Sequence, residues 1–335
     1  MSMGTTHPIG DWVLRSGQVL PNVQVAYTCQ GRLNPQGDNA ILVTHGFTSA
    51  HTMIDPGHLV AEGSWASIVG PGQVLDTDRY FVVASNMLGS SFGTTGPGST
   101  NPATSRPWGP DFPDIRLEDI VAVQHRLLSD LGVRHLRAVL GPSYGGFQSL
   151  QWALDHPDMV DAIGVIASDF QRPAGQTRQA QVDRLATSPQ WHGGRYHDHG
   201  GMFESMVEMR FQTLINYGLD RLYSTRIPDP TEREATIMAS CRLWASQFDP
   251  NSMVVLADAA EHFDVSTRVD NIRTRVLMVQ CTTDRLFPAN DHTEAQLARV
   301  PAPTRYVRLD SPYGHMASGV ELPKWQAHIA WLLGD

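Results

Sequence analysis

The run Gly141-Pro142-Ser143-Tyr144-Gly145 places a serine between two glycines. A hydroxyl that attacks an acyl carbon must project from a turn so sharp that its neighbours lack bulk, and Gly-x-Ser-x-Gly supplies that turn. Serine alone is a weak nucleophile and needs a base that is itself oriented by an acid. Asp284, in Cys281-Thr282-Thr283-Asp284-Arg285-Leu286-Phe287-Pro288, and His315, in Tyr313-Gly314-His315-Met316, follow in the order serine, acid, histidine. Ser143, Asp284 and His315 are therefore the expected catalytic triad. Two competing readings stand beside it. Asp284 could instead cap a helix starting near Pro288. Asp310 is a rival acid, but it lies too close to His315 in sequence to orient it well. Negative charge on the attacked carbonyl oxygen needs two N–H donors. The expected pair is the backbone of Tyr144 and that of Phe47, in His45-Gly46-Phe47-Thr48, with His45 itself structural.

These residues must be carried by strands and helices. Leu136-Arg137-Ala138-Val139-Leu140 reads as a strand, Gly146 to His156 as a helix stopped by Pro157, and Ala162 to Ala167 as the next strand. A strand–helix–strand unit this short makes the sheet largely parallel. The helix N-terminus after Ser143 also brings backbone N–H groups beside the hydroxyl. Upstream, Val23, Val25 and Tyr27 alternate with polar residues, Ala40-Ile41-Leu42-Val43 is an apolar run, and Tyr80 to Ala84 reads as another buried strand. Gly89 to Pro113 is too polar and broken for regular structure, and a connection of that length in a compact domain is usually functional. Leu117 to Leu131 has helical periodicity. From Gln171 to Asp270 no strand is evident, and helical spacing recurs in Met202–Leu222 and Ala235–Phe263. Thr274–Cys281 and Thr304–Leu309 resume strands, and Leu322–Leu333 closes the chain as a helix. The expected division is an α/β core, 1–170 and 271–335, with an inserted helical lid, 171–270.

The 335 residues are 41% hydrophobic and 18% charged, which fits a substantial core and excludes a disordered chain. A net charge of −9 provides no basic footprint for nucleic acid or anionic lipid. Cys29, Cys241 and Cys281 are odd in number and widely spaced, so buried free thiols are expected rather than disulfides or zinc. Met1 to Trp12 lacks a secretory apolar run, Ser2 excludes N-myristoylation, and no apolar stretch would span a bilayer, so a cytoplasmic location is expected. His192, His197 and His199 cluster without an i, i+4 helical pair beside a glutamate, and no metal site is expected from them. Ser91 to Gly98 is glycine-rich but lacks the Lys-Ser/Thr ending of a phosphate loop.

Beyond the serine turn, several segments resemble the homoserine O-acetyltransferase family of α/β-hydrolase-fold enzymes. They are Val25-Ala26-Tyr27, Asn39 to His45, Leu75 to Val83, Asn86-Met87-Leu88-Gly89, Gly93 to Pro97, Phe248-Asp249-Pro250-Asn251-Ser252 and Asp284 to Pro288. The resemblance implies that fold, a helical lid over a deep tunnel, ping-pong chemistry through an acyl-serine, and a homodimer through lid helices. It places Ser143, Asp284 and His315 as the triad and Phe47 and Tyr144 as oxyanion donors. It implies no cofactor, only acetyl-CoA or another acyl donor as co-substrate. The chain departs from the family at Pro142 and Tyr144 of the turn, at Met316 where an aspartate usually follows the histidine, and at Met206 where the lid helix usually carries an arginine; Arg210 lies one turn on. A site for a zwitterion needs charged partners for both of its charges. The departures therefore favour hydrolysis of a small acyl ester, with homoserine O-acetylation from acetyl-CoA as the alternative. A non-catalytic ligand-binding member of the fold is a weaker alternative, because all three triad residues are present. A haloalkane dehalogenase would need aspartate in place of Ser143.

Overall fold

The computed structural model describes residues 5–57 and 64–334. Residues 1–4, part of the stretch read for a leader or acyl anchor, lie outside them. Eight strands form one sheet: β1 (Thr5–Val13), β2 (Val19–Gln30), β3 (Ala40–Thr44), β4 (Phe81–Ser85), β5 (Leu136–Pro142), β6 (Ala162–Ile166), β7 (Arg275–Cys281) and β8 (Thr304–Leu309). Their spatial order is β1-β2-β4-β3-β5-β6-β7-β8. β1 and β4 each pair antiparallel with β2, and every other neighbour pair is parallel.

Parallel strands covered on both faces read as continuous apolar runs, and β3 and β6 are buried at every residue. The pleat divides each run between two cores. Leu42 and Val139 face the side covered by α1 (Leu117–Asp130) and α2 (Tyr144–Asp155), with Ile120, Leu127 and Trp152. Ile41, Val43, Ala138 and Leu140 face the other side, packed by Trp325, Ile329 and Leu332 of the C-terminal helices. These are the short α9 (Ala317–Val320), α10 (Leu322–Trp325) and α11 (Ala327–Leu333), so the single closing helix expected from Leu322 to Leu333 is divided at Gln326.

Between β6 and β7 the chain forms α3 (Arg178–Ala186), α4 (Phe203–Asn216), α5 (Leu219–Ser224), α6 (Pro230–Ala245) and α7 (Pro250–Ala259). Both long helical stretches expected here are broken. Gly218, at positive φ, separates α4 from α5. Asp249-Pro250 starts α7 afresh, with the Asp249 carboxylate accepting from the Asn251 N–H (2.9 Å) and proline in the first turn, where its missing N–H costs nothing. One further helix, α8 (Asp291–Leu297), lies between β7 and β8.

The segment Gly89 to Pro113 is more ordered than its composition suggests. It contains a short antiparallel pair, Thr100–Asn101 with Arg106–Pro107. Ser90, Ser91, Thr94 and Thr95 are buried, and the hydroxyls of Thr94 and Thr95 accept the N–H groups of Ala26 and Gln24 (both 2.9 Å). These side chains satisfy β2 backbone groups along its edge, so here the segment works as part of the scaffold. Of the cysteines, Cys241 and Cys281 are buried as expected, but Cys29 is exposed, on a β2 residue that faces outward. Among the described residues no helix is long and apolar enough to cross a membrane.

Candidate active site

The carboxyl ends of β3, β5, β7 and β8 converge, and each delivers one part of the site, as is usual in open parallel sheets. Ser143 stands between β5 and α2 with φ 56° and ψ −122°, a strained conformation for a residue bearing a Cβ. The turn is tight enough that a Cβ at Gly141 or at Gly145 would fall on the Thr44 carbonyl. Glycine is required there for space. Although Ser143 is the N-cap of α2, its side chain makes no capping bond, so the hydroxyl is not committed to the helix.

Asp284 and His315 meet. The His315 Nδ1–H donates to Asp284 Oδ2 at 2.8 Å, with both side chains nearly or fully buried. A carboxylate only accepts, so this bond sets the tautomer and leaves Nε2 as the basic nitrogen. The other carboxylate oxygen accepts the Leu286 N–H at 2.8 Å. Asp284 caps no helix: α8 begins at Asp291, and Asn290 is its cap. Asp310 is exposed and contributes only its carbonyl, to Lys324. Thr283 ties the two loops together, donating to the Ser311 carbonyl and accepting the Gly314 N–H (3.1 Å). That link is invisible in the sequence because it joins residues distant along the chain.

The His45–Thr48 loop lies against the serine turn, with a Cβ built at Gly46 3.7 Å from that of Ser143. Among the described residues no protein group accepts from the N–H of Phe47 or of Tyr144. His45 holds this loop in place. Its Nδ1–H donates to the Gly46 carbonyl (2.9 Å), and its Nε2 accepts the Met87 N–H (3.2 Å). The Gly46 carbonyl and the Phe47 N–H belong to one planar trans peptide, so anchoring the first aims the second the opposite way.

Burial pushes His45 down to about 4 from the ordinary value near 6.5. The unfolded chain therefore binds the proton first as pH falls. This contribution to stability is complete above pH 6.5 and is lost progressively toward pH 4, by about 3 kcal/mol. Denaturant titrations across that range are expected to show the decline, and His45→Asn to flatten it. An equally steep decline in the variant would show that His45 is not responsible.

Ser143 and His315 line one cavity of about 100 Å³. Its opposite wall comes from the inserted helices, through Arg184, Arg210, Thr213 and Trp244. Arg210 is buried, donates to Thr48 Oγ1 (3.1 Å) and lies over the Trp244 ring. Met206, one turn earlier, packs instead in an apolar cluster with Trp191 and Tyr196 and does not line the cavity. Arg184 was not anticipated. It donates to the Met209 carbonyl (3.1 Å) and Thr213 Oγ1 (2.7 Å), both neutral acceptors. Burial, with a further push from Arg210, lowers its pKa, while Tyr217 opposes the change. Arg184 and Arg210 thus bring two guanidinium groups to one wall of the cavity. Met316 is buried and lines the same cavity.

A second, apolar lobe of about 80 Å³ also reaches Ser143, and Phe47, Phe147, Ala257 and Phe287 are among its walls. The histidine cluster lies apart from both lobes: His192 stacks on His199, and His197 pairs with Asp249 at 3.1 Å. Asp249, Asn251 and Ser252 make structural bonds, to Tyr196, Gly194 and Ser91. Among the described residues no group of three or more His, Cys, Asp or Glu is placed to hold a metal ion.

Comparison with known proteins agrees with this fold. A family profile described as alpha/beta hydrolase fold matches residues 39–322. Homoserine O-acetyltransferase of Symbiobacterium thermophilum is 36% identical, with 94% of this chain and 90% of the relative covered. That of Haemophilus influenzae is 33% identical, with 94% of both covered. The crystal structure of homoserine O-acetyltransferase from Bacillus anthracis superposes with a TM-score of 0.84 at 25% identity, covering 99% of this chain and 97% of that one. An acetylester hydrolase from Corynebacterium glutamicum shares the fold, with a TM-score of 0.81 at 22% identity over 99% and 96% of the two chains.

Proposed function

Because this chain belongs to the homoserine O-acetyltransferase family of the alpha/beta hydrolase fold, we propose that it transfers an acyl group through a covalent acyl-serine at Ser143, with acetyl-CoA as donor and homoserine as acceptor. The observation that carries this reading is the hydrogen bond from His315 to buried Asp284, with His315 lining the same cavity as a serine on a strained turn. His315 takes the Ser143 proton as Oγ attacks the thioester carbonyl, and Asp284 stabilises the imidazolium. The N–H groups of Phe47 and Tyr144 receive the oxyanion. Collapse expels the thiol with the proton from His315. The acceptor hydroxyl then gives its proton to His315 and attacks the acyl-serine, regenerating Ser143.

Arg184 and Arg210 support an acceptor that carries a carboxylate. Hydrogen bonds to a charged group contribute about 1.5–3 kcal/mol. Arg210→Met is expected to raise the KM for homoserine about tenfold to a hundredfold, and an unchanged KM would remove Arg210 from the acceptor site.

The names of the relatives favour transfer over the hydrolysis expected from the departures in sequence. Hydrolysis remains the second reading, and Met316 is the observation that favours it. Its buried thioether lines the cavity at the position where an aspartate usually follows the histidine. Thiol release from acetyl-CoA, measured with and without homoserine, separates the two. Release that rises at least tenfold with homoserine and yields its O-acetyl ester supports transfer. Release indifferent to homoserine, with acetate accumulating, supports hydrolysis and overturns transfer.

A further inference from the structure

Gln181 lines the cavity that Ser143 and His315 share, and one of its bonds is missing. The residue is only 5% exposed. Its Nε2 donates to Gln176 Oε1 at 3.2 Å, which sets the amide plane and leaves Oε1 as the free end. Among the described residues nothing donates to that oxygen. An amide oxygen only accepts, and holding one out of water without a donor is costly. An orphan of this kind beside a reaction centre is matched to a group that the ligand brings.

That group must carry an N–H or an O–H. The acceptor in the proposed reaction has two, its hydroxyl and its ammonium. The hydroxyl has to reach His315 to surrender its proton, so the ammonium is the one left. Other side-chain oxygens of the cavity are committed. Thr213 Oγ1 donates to the Met209 carbonyl (2.8 Å) and accepts from Arg184 (2.7 Å), and Ser318 Oγ donates to the His315 carbonyl (3.1 Å). Ser49 Oγ is also buried and unpartnered, but a hydroxyl can donate or accept and so does not select a cation.

Position along α3 strengthens the match. Gln181 and Arg184 are three residues apart on this helix, so they are neighbours, with about 5–6 Å between Cβ atoms. The helix thus sets a guanidinium, which can only donate, beside an oxygen that can only accept. An α-amino acid carries its carboxylate and its ammonium on one carbon, in the same adjacency. We propose that Gln181 Oε1 accepts from the ammonium group of the acceptor while Arg184 takes its carboxylate, so that α3 recognises an α-amino acid. This rests on the acyl-transfer reading and deepens it, by naming what separates homoserine from a hydroxy acid of the same length.

The experiment measures thiol release from acetyl-CoA with homoserine and with 4-hydroxybutanoate, which keeps the carboxylate and the hydroxyl and lacks the amino group. A hydrogen bond to a charged group corresponds to a preference of roughly tenfold to a hundredfold. The native chain is therefore expected to favour homoserine in kcat/KM by about tenfold or more. Gln181→Met, similar in size but without the oxygen, is expected to lower that ratio by about fivefold or more. Gln181→Glu keeps an acceptor and is expected to hold the ratio at or above the native value. A smaller fall in the methionine variant overturns the proposal. So does an equal fall with both acceptors, which would assign the oxygen to an amide N–H of acetyl-CoA. A native chain that uses the two acceptors equally, or a glutamate variant that loses the preference, overturns it even if the methionine variant does not fold. Failure of the underlying reading looks different: neither acceptor would raise thiol release in the native chain.

Discussion

Replacing Ser143 with alanine is expected to lower acyl transfer by about a million-fold, the loss typical when the nucleophile of a cooperating triad is removed. The same change is expected to abolish stoichiometric labelling by a fluorophosphonate, which the native chain is expected to take up at Ser143. The companion variant, Ser143→Gly, is just as inactive but more stable. Ser143 sits at φ 56° and ψ −122°, and its hydroxyl caps nothing. Relief of that backbone strain is worth about 1–3 kcal/mol. The extra freedom glycine gives the unfolded chain takes back roughly 0.5–1 kcal/mol. A net gain of about 1 kcal/mol, or about 2 °C in melting temperature, is expected. A serine that can be removed without loss of activity, or whose removal leaves fluorophosphonate uptake intact, would end the acyl-serine account and revive a purely ligand-binding role.

Asp284→Asn is expected to lower kcat by about 10⁴ while leaving the fold intact. The amide keeps an oxygen for the Leu286 N–H, which Asp284 now binds at 2.8 Å. It cannot hold the His315 Nδ1–H in the same way when its NH2 faces the ring. The imidazole then favours the tautomer with its proton on Nε2, the wrong nitrogen to take one from Ser143. Asp310→Asn provides the contrast, since Asp310 is exposed, and a change of less than about twofold is expected. Rates of p-nitrophenyl acetate turnover for both variants decide the matter. A large loss in the Asp310 variant with a small one in the Asp284 variant would exchange their roles.

The first prediction could be framed from the sequence because the feature behind it is local. A sharp turn carrying a side chain requires small neighbours, and Gly141 and Gly145 record that requirement. Strands covered on both faces must be apolar throughout, so β3, β5, β6 and β7 stand out, and the loops at their carboxyl ends fall where the reactive residues were expected. The helix breaks were less legible. Asp249-Pro250 and Gly218 are visible as signals, yet the apolar spacing runs through both and masks them.

The inserted helices mark the limit of such reading. Met206 and Arg210 lie one turn apart on α4 with nothing local to separate them, but the first meets an apolar cluster and the second meets Thr48 and Trp244. Arg184, on a largely polar helix, looks like any solvated arginine until α3 is folded over the cavity. The sequence by itself determined the fold class, the strained serine turn and the identities of an acid and a base in workable order, because backbone sterics and burial act on neighbours along the chain. Only the tertiary structure decided that Asp284 and His315 share a hydrogen bond, that two arginines face one lobe, and that Phe47, Tyr144, Phe147 and Phe287 help to wall the other. Those facts depend on where separate elements come to rest against each other, and no short stretch of residues encodes that distance.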